Sequence, residues 1–247
     1  MARIIKPLLI FFRFHSPAND VESNIEKLDE YDRLIFMNMN PWDAWSAAKR
    51  FTIKHRYSDG FYTHVVIVDD DISFEIPTLD LMIEKIRAYN FAVMSADATD
   101  ARIDGEEPPY HYYQNVKYSP PSKERKDRTV AFSDGSKVTS PIFKVSWTRC
   151  QLMIIRSDLV ANTLSFRNDS IYNKLTDPEG LDHSTVIANE LWDAHIDQYV
   201  DSNSKVTIEP ESVTGRYYTT SQWNAYLVKK EEKFNIWQIN RPPMPEF

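Results

Sequence analysis

Apolar runs and helical repeats alternate along the first hundred residues. Leu8 to Phe14 is apolar at almost every position and predicts a buried strand, followed by a polar helical stretch, Asn19 to Tyr31, and a second strand, Arg33 to Met39. Asn40-Pro41 opens a helix over Trp42 to Tyr57, with Trp45, Ala48, Phe51 or Thr52, and His55 at helical spacing and an end near Gly60. His64 to Val68 is the third strand. Thr78 to Tyr89 carries Leu79, Met82, Ile83 and Ile86 on one side of a helix, and Phe91 to Ser95 is a further strand. Such alternation predicts an α/β fold in which a mainly parallel central sheet is flanked by helices.

From Asp97 to Pro141 the pattern breaks into Pro, Tyr and charge-rich sequence, and a segment of that length inside a compact domain is usually functional or mobile. Beyond it, Phe143 to Trp147 and Gln151 to Ile155 read as strands, Ser157 to Leu164 as a short helix, His183 to Val200 as a long one, and Lys205 to Ile208 as a last strand. The expectation is one domain over 1–214, with 97–141 as a variable insertion. Residues 215–247 are expected to wrap the surface as a tail anchored by Trp223 and Trp237.

The chain has 247 residues, 42% of them hydrophobic and 13% aromatic, enough for a packed core. A net charge of −7 gives no global attraction to nucleic acid or anionic membrane, so a polyanion needs a local site. Cys150 is the single cysteine, which excludes an internal disulfide and a cysteine-type zinc site and fits a reducing, cytoplasmic setting. The N-terminal apolar run is cut by Arg13 and no small-residue cleavage site follows, so it reads as a core strand rather than a signal peptide. No apolar stretch approaches the length of a transmembrane helix. The isolated glycines, at 60, 105, 135, 180 and 215, exclude both the G-x-G-x-x-G fingerprint and the P-loop.

Three aspartates, Asp69, Asp70 and Asp71, close the third strand. Like carboxylates so near one another resist ionisation together, so the cluster calls for a cation. Side chains alternate along a strand, which puts Asp69 and Asp71 on one side and Asp70 on the other. Ligands of open α/β sheets collect beyond the carboxyl ends of the parallel strands, where this cluster lies. Oxygen ligands suit Mg²⁺ or Mn²⁺, whose free positions take water and phosphate oxygens, so the implied partner is a diphosphate. The alternative is an exposed strand end, with one Asp capping the turn before Pro77.

At this point the chain resembles the GT-A class of nucleotide-sugar glycosyltransferases, whose metal-binding Asp-x-Asp motif ends a buried strand in the same setting. WSAAKRFTIKHRYSDG is similar to the family's basic helix, and Lys49 and Arg50 fall near the basic position that faces the donor's phosphates. TRCQLMIIRSDLV is similar to the strand and helix after the acceptor loop, and LDHSTVIANELWDAHIDQYVDSNSKVTIEP to the acidic-residue helix and following strand. The likeness covers residues 5 to 210 in element order and implies a GT-A-like, Rossmann-related catalytic domain. It implies Asp69 and Asp71 as ligands of Mn²⁺ or Mg²⁺, and Asp69, Asp70, Lys49 and Arg50 as contacts of a nucleotide-diphosphate sugar. It further implies inverting transfer to an acceptor hydroxyl, with Asp182 as base. Three positions depart from the pattern: Leu181-Asp182 stands for the Glu-Asp pair, Asn38 and Asn40 stand near the base-recognising Asp, and no His follows the last strand.

Asp182 at a helix start also fits a plain N-cap, a role that lowers a carboxylate's pKa and weakens it as a base. Glu179 is the second candidate base. His183 is open to orienting an acceptor, to a metal, or to neither, while His195, on the apolar face of the long helix, is expected in the core. Tyr110, Tyr112, Tyr113 and Tyr118, followed by Lys123, Arg125, Lys126 and Arg128, suit sugar or base stacking and phosphate contact, or packing of a solvated loop on the sheet. The acceptor is left open among glycan, lipid, protein and nucleic acid. Two rivals stand beside this reading. One is a non-catalytic GT-A-like protein that binds a sugar or partner. The other is a haloacid-dehalogenase-type phosphatase, which DDDIS fits but which places its Asp on the first strand and needs a later Gly-Asp that this chain lacks.

Overall fold

The computed structural model describes residues 4–13, 28, 30–37, 41–55, 61–69, 72–100, 116–119, 129–132, 140–145, 148, 152–165, 183–208, 222–229 and 232–240. Its strands are β1 (Pro7–Arg13), β2 (Asp32–Met37), β3 (His64–Asp69), β4 (Ile72–Ser73), β5 (Val93–Asp100), β6 (Val116–Ser119), β7 (Thr129–Phe132), β8 (Ile142–Val145), β9 (Leu152–Arg156), β10 (Gln198–Ile208), β11 (Gln222–Lys229) and β12 (Glu232–Asn240). Its helices are α1 (Pro41–His55), α2 (Ile76–Tyr89), α3 (Ser157–Asn162) and α4 (His183–Asp193). The fold is α/β, as the alternation of periods predicts. The proposed helix over 19–31 lies almost wholly outside the described residues.

One mixed sheet runs in the order β12-β11-β2-β1-β3-β9-β5-β10-β4, with β8 also on β10, and β6 and β7 form a separate ribbon. β2, β1, β3, β5 and β10 all point the same way. β9 runs against its neighbours β3 and β5. His64 to Val68 are all buried, which is why this run shows no polar alternation: it is covered on both faces. Val65 and Ile67 enter a core with Leu8, Ile10, Trp45, Ala48, Ile187 and Leu191, the layer of α1, α3 and α4. Val66 and Val68 enter a second core with Leu9, Phe11 and the α2 residues Leu79, Met82, Ile83 and Ile86. Each such fully buried aliphatic side chain contributes about 1.5–3 kcal/mol relative to exposure. Among the described residues no helix is long and apolar enough to cross a membrane.

Two departures from the sequence expectation shape the carboxyl edge of the sheet. Strand β10 starts at Gln198, not Lys205, and contains a bulge: Asp201 stands opposite Ala96 and Lys205 opposite Asp97, so residues 202–204 have no counterpart on β5. Part of the expected wrapping tail, residues 222–240, is a hairpin that extends the sheet by pairing Asn224–Val228 with β2. Backbone pairing at an open edge accounts for this. Lone anchor residues such as Trp223 and Trp237 do not signal it.

At the opposite edge, Arg156 grips Asp158 at the start of α3 with two hydrogen bonds, Nε–Oδ1 at 2.9 Å and Nη2–Oδ2 at 2.5 Å. The guanidinium holds the Asp158 carboxyl below the usual carboxylate range, against the opposing effect of burial. A carboxyl depressed in the folded state stabilises above its unfolded pKa, and the gain is lost as pH falls through the folded value. Asp158→Asn should therefore reduce stability near neutrality and leave it unchanged in strong acid. The pair is partly exposed, so a shift of under about 1 kcal/mol is expected in urea titrations at the two pH values.

Candidate active site

Asp69 is the last residue of β3, opposite Phe12 of β1. Its parity with Val65 and Ile67 turns it to the α1/α3/α4 face of the sheet. β9 begins at Leu152, opposite Val68, so the described part of β9 stops one residue short of Asp69. On the far side of β9, the described pairing with β5 runs through Val93–Ser95, and β5 continues to Asp100. Asp97 lies in that continuation, has the parity of Val93, and is 5% exposed. Asp69 and Asp97 thus leave neighbouring parallel strands at one edge and onto one face, flanking the end of β9. Lys205 of β10 stands beside Asp97 in register and is exposed, which brings a cation to this edge.

The chain itself limits how far the edge spreads. In a flat sheet β4 would lie four strand spacings, about 19 Å, from β3. The three residues from Asp69 to Ile72 reach about 10 Å at most. Yet Ile72 and Ser73 pair with Ile208 and Thr207. The ends of β5 and β10 therefore curl back over the short β9 toward Asp69.

Topology brings two helix starts to the same edge and face. α1 follows β2 and α4 precedes β10, both strands of the parallel set, so each helix begins where those strands end. α4 is held by Ile187 and Leu191 in the core and by Glu190, which accepts hydrogen bonds from the Ser165 backbone N–H (2.8 Å) and hydroxyl. Gln198 ties its middle to the strand that follows by donating to the Ala188 carbonyl (3.1 Å) and accepting from the Thr148 N–H (3.2 Å).

Asp70, Asp71, Glu179 and Asp182 lie outside the described residues, as do Tyr110, Tyr112, Tyr113, Lys123, Arg125, Lys126 and Arg128. Position 182 immediately precedes α4 and position 70 immediately follows β3. Tyr118 falls on β6. His183 is the first residue of α4. Lys49 donates its ammonium to the Leu164 carbonyl beyond α3, about two turns along α1 from the edge, and Arg50 beside it is exposed. Lys49→Ala should lower the urea midpoint by an amount corresponding to about 1–2 kcal/mol, by leaving that carbonyl unsatisfied. His195 is a correction: α4 ends at Asp193, and His195 is exposed with φ 56°, in the turn that leads to β10. The break in pattern that sets in at Asp97 hides it as a site residue in the sequence, although Val93, Ser95 and Asp97 continue one alternation.

Among the described residues no three or more His, Cys, Asp or Glu side chains converge on a metal-sized position. Neither a protein family nor a curated protein matches the chain. Among solved structures it is similar to the crystal structure of A197 from STIV, at 11% identity and a TM-score of 0.44, over 98% of this chain and 100% of that one. A likeness of that degree says nothing of activity.

Proposed function

We propose that the chain is a metal-dependent glycosyltransferase of GT-A type that moves a sugar from a nucleotide diphosphate to an acceptor hydroxyl with inversion. The observation that carries this reading is the exit of Asp69 from a fully buried central strand, one residue past the described part of β9, on the face and edge at which α1 and α4 begin. Oxygen donors are the right chemistry for Mg²⁺ or Mn²⁺. These ions need only one or two protein carboxylates when waters and phosphate oxygens fill the remaining positions, so Asp69 with Asp71 is a sufficient set. Bound there, the cation would neutralise charge that develops on the departing diphosphate.

The chain's own groups supply the rest. Helix N-termini at the edge favour the anionic donor, and Asp70 or exposed Arg50 adds a polar contact to it. Asp182, just before α4, takes the proton of the acceptor hydroxyl as its oxygen bonds to the anomeric carbon. The bond from that carbon to the diphosphate breaks in the same step, and nucleoside diphosphate leaves. The Tyr-rich segment between β5 and β8 offers aromatic faces to the acceptor.

The test is turnover of a panel of nucleotide sugars with Mn²⁺, followed by mass spectrometry, with EDTA as control. Metal-dependent release of nucleoside diphosphate is expected. Uptake of free glycan with no turnover and no metal-linked nucleotide binding would instead favour a sugar-binding protein. Within this reading, Arg50→Ala should weaken nucleotide-sugar binding about tenfold, as loss of one charged contact does. Unchanged calorimetric affinity in that variant would leave α1 as scaffold only.

A further inference from the structure

The bulge in β10 is built around one buried carboxylate. Asp201, fully buried, accepts the Lys85 ammonium from α2, the Ser204 hydroxyl (2.5 Å) and the Asn203 N–H (3.2 Å). Ser202, inside the bulge, donates its N–H (2.8 Å) and its hydroxyl (3.0 Å) to the carbonyl of Pro141, at the exit of the 101–141 segment. Past the bulge, Asp100 pairs with Ile208, so the entrance of that segment is held by the same strand. Thr207 and Ile208 also hold Ser73 and Ile72, the residues that directly follow the aspartates. One short stretch of β10 therefore fastens the aspartate segment and both ends of the long insertion.

We infer that Asp201 is a positioning residue: its latch with Lys85 and Ser204 sets the bulge that turns the end of β10 back toward β3, and so fixes Ile72 and Ser73, the residues that follow the aspartates in sequence. The inference rests on the carboxylate site proposed above for its functional consequence, but its structural core is independent of that proposal. A bulge adds residues to one strand and bends it, and the bend is needed because three residues cannot otherwise span from β3 to β4. Without the carboxylate, Asn203 and Ser204 lose the acceptor that orders them and Lys85 loses its partner. The pairing at 72–73 is only two residues long and joins the packing of Ile72 in the α2-side core, so its hydrogen bonds are the part that depends on the end of β10.

The experiment compares wild type with Asp201→Asn, with Ser204→Ala as a milder variant of the same latch. Val160→Ala, in the core on the other face of the sheet, is the control for general destabilisation. Hydrogen exchange of the peptide covering Ile72 and Ser73 and Mn²⁺ affinity by electron paramagnetic resonance are measured where every variant is folded. Exchange at 72–73 should be about tenfold faster in the latch variants, beyond any global loss of stability. Mn²⁺ affinity should fall about tenfold, as when a group that orients a ligand is removed. Val160→Ala should show neither local effect. Unchanged exchange at 72–73 in both latch variants would overturn the inference, as would faster exchange with wild-type Mn²⁺ affinity. Faster exchange in a protein whose wild type binds no Mn²⁺ would uphold the latch and remove the metal site instead.

Discussion

Asp182→Asn is expected to lower the transfer rate by about 10²–10⁴-fold while donor affinity stays at the wild-type level, because a general base acts on the chemical step and not on donor binding. An inverting transfer needs one carboxylate near the acceptor hydroxyl and no protein nucleophile. α4 is suited to present it: Ile187 and Leu191 are fully buried and Glu190 is tied to Ser165, so the start of the helix is set by packing. A residue that merely capped the helix would behave otherwise, losing about 1 kcal/mol of stability and almost no rate. NMR of the product's anomeric configuration completes the test. Retention, or a fully active Asp182→Asn, would transfer the base role to Glu179 or to the acceptor itself.

Removing one carboxylate from the strand end should have the second large effect. Asp71→Asn is expected to abolish Mn²⁺-dependent donor binding in calorimetry and to leave the thermal transition unchanged or higher, since it relieves repulsion among like charges. Asp69→Asn should weaken binding similarly. Its effect on stability is expected to be small as well, because Asp69 ends its strand and is only part-buried, whereas the residues before it are fully enclosed. Donor affinity equal to wild type in Asp71→Asn would rule out the cation site.

The order of elements was legible in the sequence because burial on both faces leaves a plain mark. VVIV is covered by helices on either side, and Leu79, Met82, Ile83 and Ile86 fall on the buried stripe that helical spacing assigns them. The location of Asp69 at the carboxyl edge follows from the same run. The end of α4 was not legible. Trp192, His195 and Tyr199 continue a helical period, but the chain turns after Asp193 through a left-handed His195, with no Gly or Asn of the kind that commonly marks such an end. Gln198, bonded to Ala188 and Thr148, fixes the start of β10, and those partners are distant or unmarked in sequence. DSNS looks like a loop in isolation but is a bulge within β10, where Lys85, on another element, reaches Asp201. The buried Asp97 was missed for a related reason: β5 outruns β9, and no local pattern reveals how far a strand extends beyond its neighbour.

The place of β9 also has a consequence for the order in which the protein assembles. It is the strand between β3 and β5, yet it is synthesised roughly eighty residues after β3, so β5 cannot dock beside its final neighbour until β9 has emerged. At about 5–20 residues per second, the nascent chain carries the bare edge of this buried strand for something like 4–16 s. Until then that edge is an open row of unpaired backbone groups, and β9, made after β5 although it lies between β3 and β5, is the strand that closes it.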